Sequence, residues 1–178
     1  ENAFQQEFAL LSRIKHPSIV AGYDYHGRDN LLGPAYSLEL VGGPSLLELH
    51  RSQPGRFDLL ILQICQILEF VHLQGIVHCD LKPDNFKVSC GQEDSKLSVV
   101  KLLDFGLAES VELIKESKIK GTLDYMAPEI LRSQAYSYPA DLYSLGVILY
   151  ELVSGGLPFT AADPAILISR VLEEEPEP

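Results

Sequence analysis

Apolar residues recur along this chain in two rhythms, one helical and one extended. Phe4, Phe8, Leu11 and Ile14 share one face at helical spacing and predict a helix over residues 1–15. A residue before proline avoids the helical region, so His16-Pro17 closes it. Ile19-Val20 with Tyr23 to Tyr25, and then Ala35 to Val41, predict two strands around a turn at Gly27-Arg28-Asp29-Asn30. Pro44 to Leu49 reads as a short helix, with Ser45 and Glu48 spaced as a capping box. Phe57, Leu60, Ile61, Ile64, Ile67, Leu68 and Val71 mark a long amphipathic helix that stops near Gly75. Phe86 to Ser89 and Leu97 to Leu103 predict two more strands, joined through Cys90 to Lys96, a connection placed on the surface by its composition. From Asp141 to Leu152 the chain is almost wholly apolar, which predicts a buried helix with Asp141 near its start to cap N–H groups. Gly155-Gly156 ends it, and Asp163-Pro164 begins another helix through about Leu172.

Between the long helix and the second strand pair lies His78-Cys79-Asp80-Leu81-Lys82-Pro83-Asp84-Asn85. It holds a carboxylate, a cation and an amide within a few residues, and Pro83 stiffens it. Such an Asp can accept a hydroxyl proton, the Lys can neutralise a phosphate oxygen, and the Asn can ligate Mg²⁺ through its carbonyl. Taken alone, the stretch fits a polar surface turn as well. Val99 to Leu103 reads as a buried strand ending at Asp104-Phe105-Gly106, a place suited to a metal-ligating carboxylate, where the glycine lets the chain turn away. Further on, Gly121-Thr122 and Tyr125-Met126 precede Ala127-Pro128-Glu129.

In this order, HCDLKPDN, DFG and APE resemble the catalytic half of a eukaryotic-type serine/threonine protein kinase, and DLYSLG is a fourth similar segment. The wording of GTLDYMAPEIL and DLYSLGVILYELVSG is similar to bacterial kinases of this fold. The resemblance implies an α+β, bilobal fold. Residues 1–41 would be the remainder of the small lobe, with a regulatory helix, two strands and the hinge. Residues 42–178 would be most of a mainly helical large lobe, truncated at its end.

The same resemblance implies ATP and Mg²⁺ as cofactors and a Ser/Thr-bearing protein as substrate. Asp80 would orient the hydroxyl and accept its proton, Lys82 would steady the γ-phosphate, and Asn85 and Asp104 would hold Mg²⁺. Thr122 would contact Asp80 and Lys82, and with Lys82 it points to Ser/Thr rather than Tyr. Leu38 would be the gatekeeper, with backbone groups of Glu39 and Val41 on adenine and two glycines, Gly42-Gly43, loosening the hinge. Glu7 lies on the apolar face of the first helix, where it could snorkel to water or be paired. The resemblance places it as the helix Glu that pairs with a strand lysine. That lysine and a glycine-rich loop would lie upstream of Glu1, and the Arg that anchors Glu129 would lie beyond Pro178. These 178 residues alone are therefore expected to bind ATP weakly and turn over negligibly. His78 would be a structural residue packed beneath Phe105, and Asp141 would hold the catalytic loop from below.

Two departures from the family matter. Cys79 stands where many such kinases carry an Arg that pairs with an activating phosphate, and a thiol cannot supply that fork of donors. Activity is thus expected not to depend on a phosphate held there. Gly22 replaces a larger apolar residue, which could leave an internal stack incomplete. Both departures also fit a pseudokinase or scaffold that binds partners without catalysis. A small-molecule phosphotransferase is a third reading, opposed by the APE segment and Thr122, which would build a peptide-binding shelf. Ser110 and Ser117 also carry hydroxyls in the mixed stretch from Leu107 to Tyr125, where an activation segment would lie.

Composition narrows the classes further. At 178 residues, 46% hydrophobic and 22% charged, the chain can bury a core. A formal net charge of −11 argues against a nucleic-acid surface. Cys65, Cys79 and Cys90 have no metal-site spacing and suit a reducing, cytoplasmic setting, with Cys65 expected as a small core residue. No stretch is long and apolar enough for a membrane span, no secretory signal opens the chain, and flanking domains are expected around it. The acidic, proline-bearing tail from Glu173 reads as solvated.

Overall fold

The computed structural model describes residues 2–27, 33–52, 57–90, 98–111, 114 and 119–177. The turn at Arg28-Asp29-Asn30, the connection 91–97 and Ser117 lie outside the described residues, as do the side chains of Phe4 and Phe57. Two compact units divide the chain. The first is Glu1–Phe70 with Asp84–Gly106, and the second is Val71–Pro83 with Leu107–Pro178.

In the first unit, α1 (Asn2–Arg13) packs on a hairpin of β1 (Gly22–His26) and β2 (Ala35–Leu38). Phe8 lies tilted against Tyr25 and Tyr36, with ring centroids 5.6 and 6.1 Å away, and Leu11 and Ile14 are buried. The strand expected to run to Val41 stops at Leu38, and Leu40 is 96% exposed. Only Glu39 continues the pairing, its N–H donating to the Ala21 carbonyl at 2.8 Å. At Gly22 the chain passes beside α1: a Cβ there would lie in ordinary van der Waals contact, 3.4 Å from Leu11 Cβ and 3.5 Å from the Phe8 ring, so the position has room for a methyl group next to those side chains.

The capping box of α2 (Leu46–Ser52) forms as expected. Ser45 N–H donates to Glu48 Oε2 at 2.6 Å, and Glu48 N–H donates to Ser45 Oγ at 3.4 Å. The long helix α3 (Phe57–Leu73) buries Leu60, Ile64, Ile67 and Leu68. Cys65 is exposed rather than a core residue, because it sits off the Leu60–Ile64–Ile67 face. Gly75 stops the chain's helical course with φ +74, a left-handed conformation that suits glycine.

β3 (Ile76–Val77) belongs to the second unit. β4 (Phe86–Cys90) and β5 (Ser98–Leu102) form an antiparallel pair in the first, with Phe86 opposite Leu102. Gly43 is held against that pair. Its φ is +123, and a Cβ there would stand 2.3 Å from the Val88 carbonyl oxygen. Close approach of two backbones, rather than hinge freedom, therefore demands glycine at this position. Gly42 has nothing within 4 Å of its would-be Cβ.

In the second unit, β3 pairs antiparallel with β6 (Glu109–Ser110). The helices are α4 (Pro128–Leu131), α5 (Tyr138–Ser154) and α6 (Pro164–Glu173). Their core gathers Val77, Met126, Ile130, Ala140, Leu167 and Val171. α5 begins three residues earlier than expected, since Pro at N2 and the preceding Ser137 favour an earlier start. It is not apolar-buried all round either: Leu142 and Val153 are exposed. Gly155 closes it in the left-handed conformation, its N–H on the Glu151 carbonyl. Asp163 caps α6 through a 2.8 Å bond from Ala165 N–H. Among the described residues, no helix is long and apolar enough to cross a membrane.

Candidate functional site

In the second unit, β3 delivers His78 and Cys79 into an irregular loop that cannot satisfy its own backbone. Asp141, on the first turn of α5 and fully buried, supplies the missing acceptors. Its Oδ2 accepts from His78 N–H at 2.9 Å and its Oδ1 from Cys79 N–H at 3.0 Å. His72 Nε2 lies 2.8 Å from the same Oδ2. Asp141 thus fastens a loop about sixty residues away in sequence, instead of capping its own helix. His78 is fully buried, and Asp80 N–H faces its Nδ1 at 3.4 Å. Cys79 adopts φ +68, a left-handed conformation uncommon outside glycine and asparagine, and this aims the next residue, Asp80.

Asp80 is the centre of a polar triangle. Thr122 donates to its Oδ1 twice, through N–H at 2.7 Å and Oγ1 at 2.8 Å. Lys82 Nζ lies 3.0 Å from Asp80 Oδ2 and donates to Thr122 Oγ1 at 3.1 Å. Asp80 and Lys82 side chains keep 10% and 26% of their surface exposed, enough for a ligand to reach them. The close approach needs Gly121. Its φ is +106, and a Cβ would stand 2.7 Å from the Cys79 carbonyl oxygen and 3.3 Å from Asp80 Oδ1. Its role at the site emerges from the packing.

The first unit carries the remaining expected residues. Asn85 is buried, in a 3-10 turn over Pro83–Asn85, and its carbonyl accepts from Leu103 N–H at 2.8 Å. That bond and the Phe86–Leu102 pairing set Asn85 opposite Leu103, the residue before Asp104. Asp104 is exposed, with φ +56, and its Oδ1 accepts from Gly106 N–H at 3.1 Å. An amide and a carboxylate at the end of one strand pair suit a hard cation that keeps other oxygen ligands. Among the described residues, no group of three or more His, Cys, Asp or Glu gathers into an all-protein cage.

Glu7 of α1 turns toward this strand end. Burial pushes its carboxyl above the usual range, while a hydrogen bond from Tyr36 draws it back. The charge of Asp104 raises it further, and the Phe105 N–H opposes that. The Tyr36 phenol is itself pushed up, by burial first and then by Glu7. Glu7 is therefore held by a tyrosine, a partner that periodicity does not reveal. Glu39 pairs with Lys101 at 2.6 Å and accepts from Ala21 N–H at 3.3 Å, which fixes the residue next to Leu38. Leu38 is partly exposed and Val41 half-buried just beyond.

The sequence profile of the protein kinase domain matches residues 1–175. The chain is 32% identical to the serine/threonine-protein kinase PknB of Mycobacterium tuberculosis, over 98% of this chain and 29% of that protein. It is 34% identical to the serine/threonine-protein kinase pkn3 of Myxococcus xanthus, over 98% of this chain and 34% of that protein. Against the CDPK-related kinase 3 of Arabidopsis thaliana it is 39% identical, over 78% of this chain and 24% of that protein. The chain thus spans about a third or less of the length of these relatives.

Proposed function

The chain belongs to the protein kinase domain family, and from that premise we propose that it works in transferring the γ-phosphate of ATP to Ser or Thr hydroxyls of a protein substrate. The Asp80–Lys82–Thr122 triangle is the observation that carries this reading. Asp80 keeps Oδ2 toward Lys82 and Oδ1 toward Thr122, so its carboxylate is held in one orientation. It orients the attacking hydroxyl and takes its proton as the new P–O bond forms and the bond from the γ-phosphorus to the β–γ bridging oxygen breaks, releasing ADP. Lys82 offers its ammonium to the transferring phosphoryl group, whose charge it offsets. Thr122 holds both side chains in register, so positioning provides much of the rate.

Asn85 and Asp104 are the residues that would hold Mg²⁺, which when bound neutralises phosphate charge. Their oxygen-donor side chains, both near the end of one strand pair, fit that ion. Glu7, Leu38, Glu39 and Val41 would line the nucleotide side, with Glu39 steadied by Lys101. Residues 1–41 would be the small-lobe remainder and 42–178 the large-lobe portion. The setting would be cytoplasmic, with further domains flanking the stretch. No observation favours the scaffold alternative. The test is transfer of label from γ-labelled ATP to a Ser/Thr-bearing protein by the full-length protein. Label on serine or threonine supports the reading; ATP bound without any transfer would favour a scaffold.

A further inference from the structure

Four residues that this mechanism leaves unused form a continuous hydrogen-bonded chain within the second unit. Glu109 lies on β6, opposite Val77, and its two carboxylate oxygens are divided between partners. Lys120 Nζ is 2.7 Å from Oε1, and the Tyr136 hydroxyl donates to Oε2 at 3.0 Å. The Tyr136 oxygen in turn faces the Cys79 thiol, with Sγ 3.7 Å away. Lys120 Nζ also donates to the Leu107 carbonyl at 2.6 Å. Burial pushes the Cys79 thiol up to about 12, so it stays a neutral donor. Burial raises the Tyr136 phenol as well, so it keeps the proton it offers to Glu109.

Both ends of this chain abut the residues that fix Asp80. Cys79 immediately precedes Asp80, and Lys120 precedes Gly121, whose backbone is pressed against the Cys79 carbonyl. Thr122 comes next, with both of its donors on Asp80. A Lys–Glu pair at 19% and 40% exposure contributes little energy by itself. Its value here is geometric, because it closes a loop of contacts around the Thr122–Asp80 bonds.

We propose that Glu109, Lys120 and Tyr136 are positioning residues that dock the 120–122 stretch onto Cys79 and Asp80, and that this docking needs no added phosphate. The Lys120 charge already meets Glu109, so the cluster offers no unmatched cation to a phosphoryl group. The catalytic consequence rests on the kinase reading above; the docking itself does not.

Amide hydrogen exchange on the full-length protein separates the two. In Glu109→Gln and Lys120→Met, exchange at the Thr122 amide is expected to speed up by about tenfold, the effect of losing one hydrogen-bonded restraint. Lys120→Arg should restore protection, and phosphatase treatment of the unaltered protein should leave it unchanged. In the transfer assay kcat should fall by roughly tenfold with KM for ATP unmoved, as a loss confined to the transition state requires. Tyr136→Phe removes a single oxygen and should act in the same direction if a charge variant fails to fold. Unchanged exchange in the variants would overturn the proposal, as would phosphatase treatment that loosens the Thr122 amide. Expected exchange with no transfer by the unaltered protein would instead sink the kinase reading and leave the docking intact.

Discussion

Thr122 binds one oxygen of Asp80 with two donors, its N–H at 2.7 Å and its hydroxyl at 2.8 Å. The hydroxyl also accepts from Lys82 at 3.1 Å, so one side chain sets the orientation of two others. Thr122→Ala removes the hydroxyl and keeps the backbone bond. Hydrogen bonds to charged groups contribute about 1.5–3 kcal/mol, so kcat should fall roughly tenfold to a hundredfold. Thr122→Ser should recover most of it. Steady-state phosphoryl transfer by the full-length protein measures both, and an alanine variant with the parent rate would contradict the role.

Asp141 should matter for stability before it matters for chemistry. Asp141→Ala leaves the buried N–H groups of His78 and Cys79 without their acceptor. At about 1–3 kcal/mol for each of the two groups, unfolding free energy should drop by about 2–6 kcal/mol. Urea denaturation reads this directly. Asp141→Asn, which retains one carbonyl acceptor, should cost less. A change within experimental error for the alanine variant would show that water replaces the carboxylate.

Neighbouring glycines should respond in opposite ways. Gly43→Ala would force a Cβ to 2.3 Å from the Val88 carbonyl at φ +123, and the overlap with backbone cannot be relieved by a rotamer change. A loss of several kcal/mol or failure to fold is expected, beyond the ~1 kcal/mol of an ordinary glycine substitution. Gly42→Ala meets nothing within 4 Å and should stay within about 0.5 kcal/mol of the parent. Paired thermal melts decide it, and equal melting temperatures for the two variants would contradict this picture.

The cysteines Cys65 and Cys79 should differ in reactivity. Cys65 is exposed on α3, whereas Cys79 is buried and its thiol is pushed up to about 12. Thiolate is the reactive form, so near pH ~8 Cys65 should alkylate readily and Cys79 hardly at all. Adding denaturant should expose Cys79. Mass mapping after a timed iodoacetamide pulse tests this, and comparable native labelling of both would refute it.

Local rules were enough for much of the fold. The Ser45–Glu48 capping box, the Gly75 stop and the β4–β5 strands all depend on neighbours within a few residues, and each is found as expected. What the sequence hides is set by distant partners. Gly43 reads as a loose hinge until Val88 is seen against it. Asp141 reads locally as a helix cap, whereas the N–H donors it accepts from lie on β3's outgoing loop, a role that only the family resemblance indicated. Cys65 reads as core because α3 is apolar on more than one face, with Leu59 and Leu62 exposed beside it. The strand through Val41 reads too long because Leu40 and Val41 carry strand-like side chains that β1 does not extend to meet.

At the site, the motif spacing brought Asp80, Lys82 and Thr122 forward, and they do converge. Glu109, Lys120 and Tyr136 were not legible, because their residue types mark any solvated turn and their union depends on β6 folding back on β3.

The most direct test of the central assignment is single-turnover transfer from ATP to a Ser/Thr-bearing protein by full-length protein carrying Asp80→Ala. Loss of the proton acceptor and of the Thr122 anchor should slow the step by about a hundredfold or more. Transfer at the parent rate would contradict the role given to Asp80, and with it the phosphoryl-transfer geometry built around that residue.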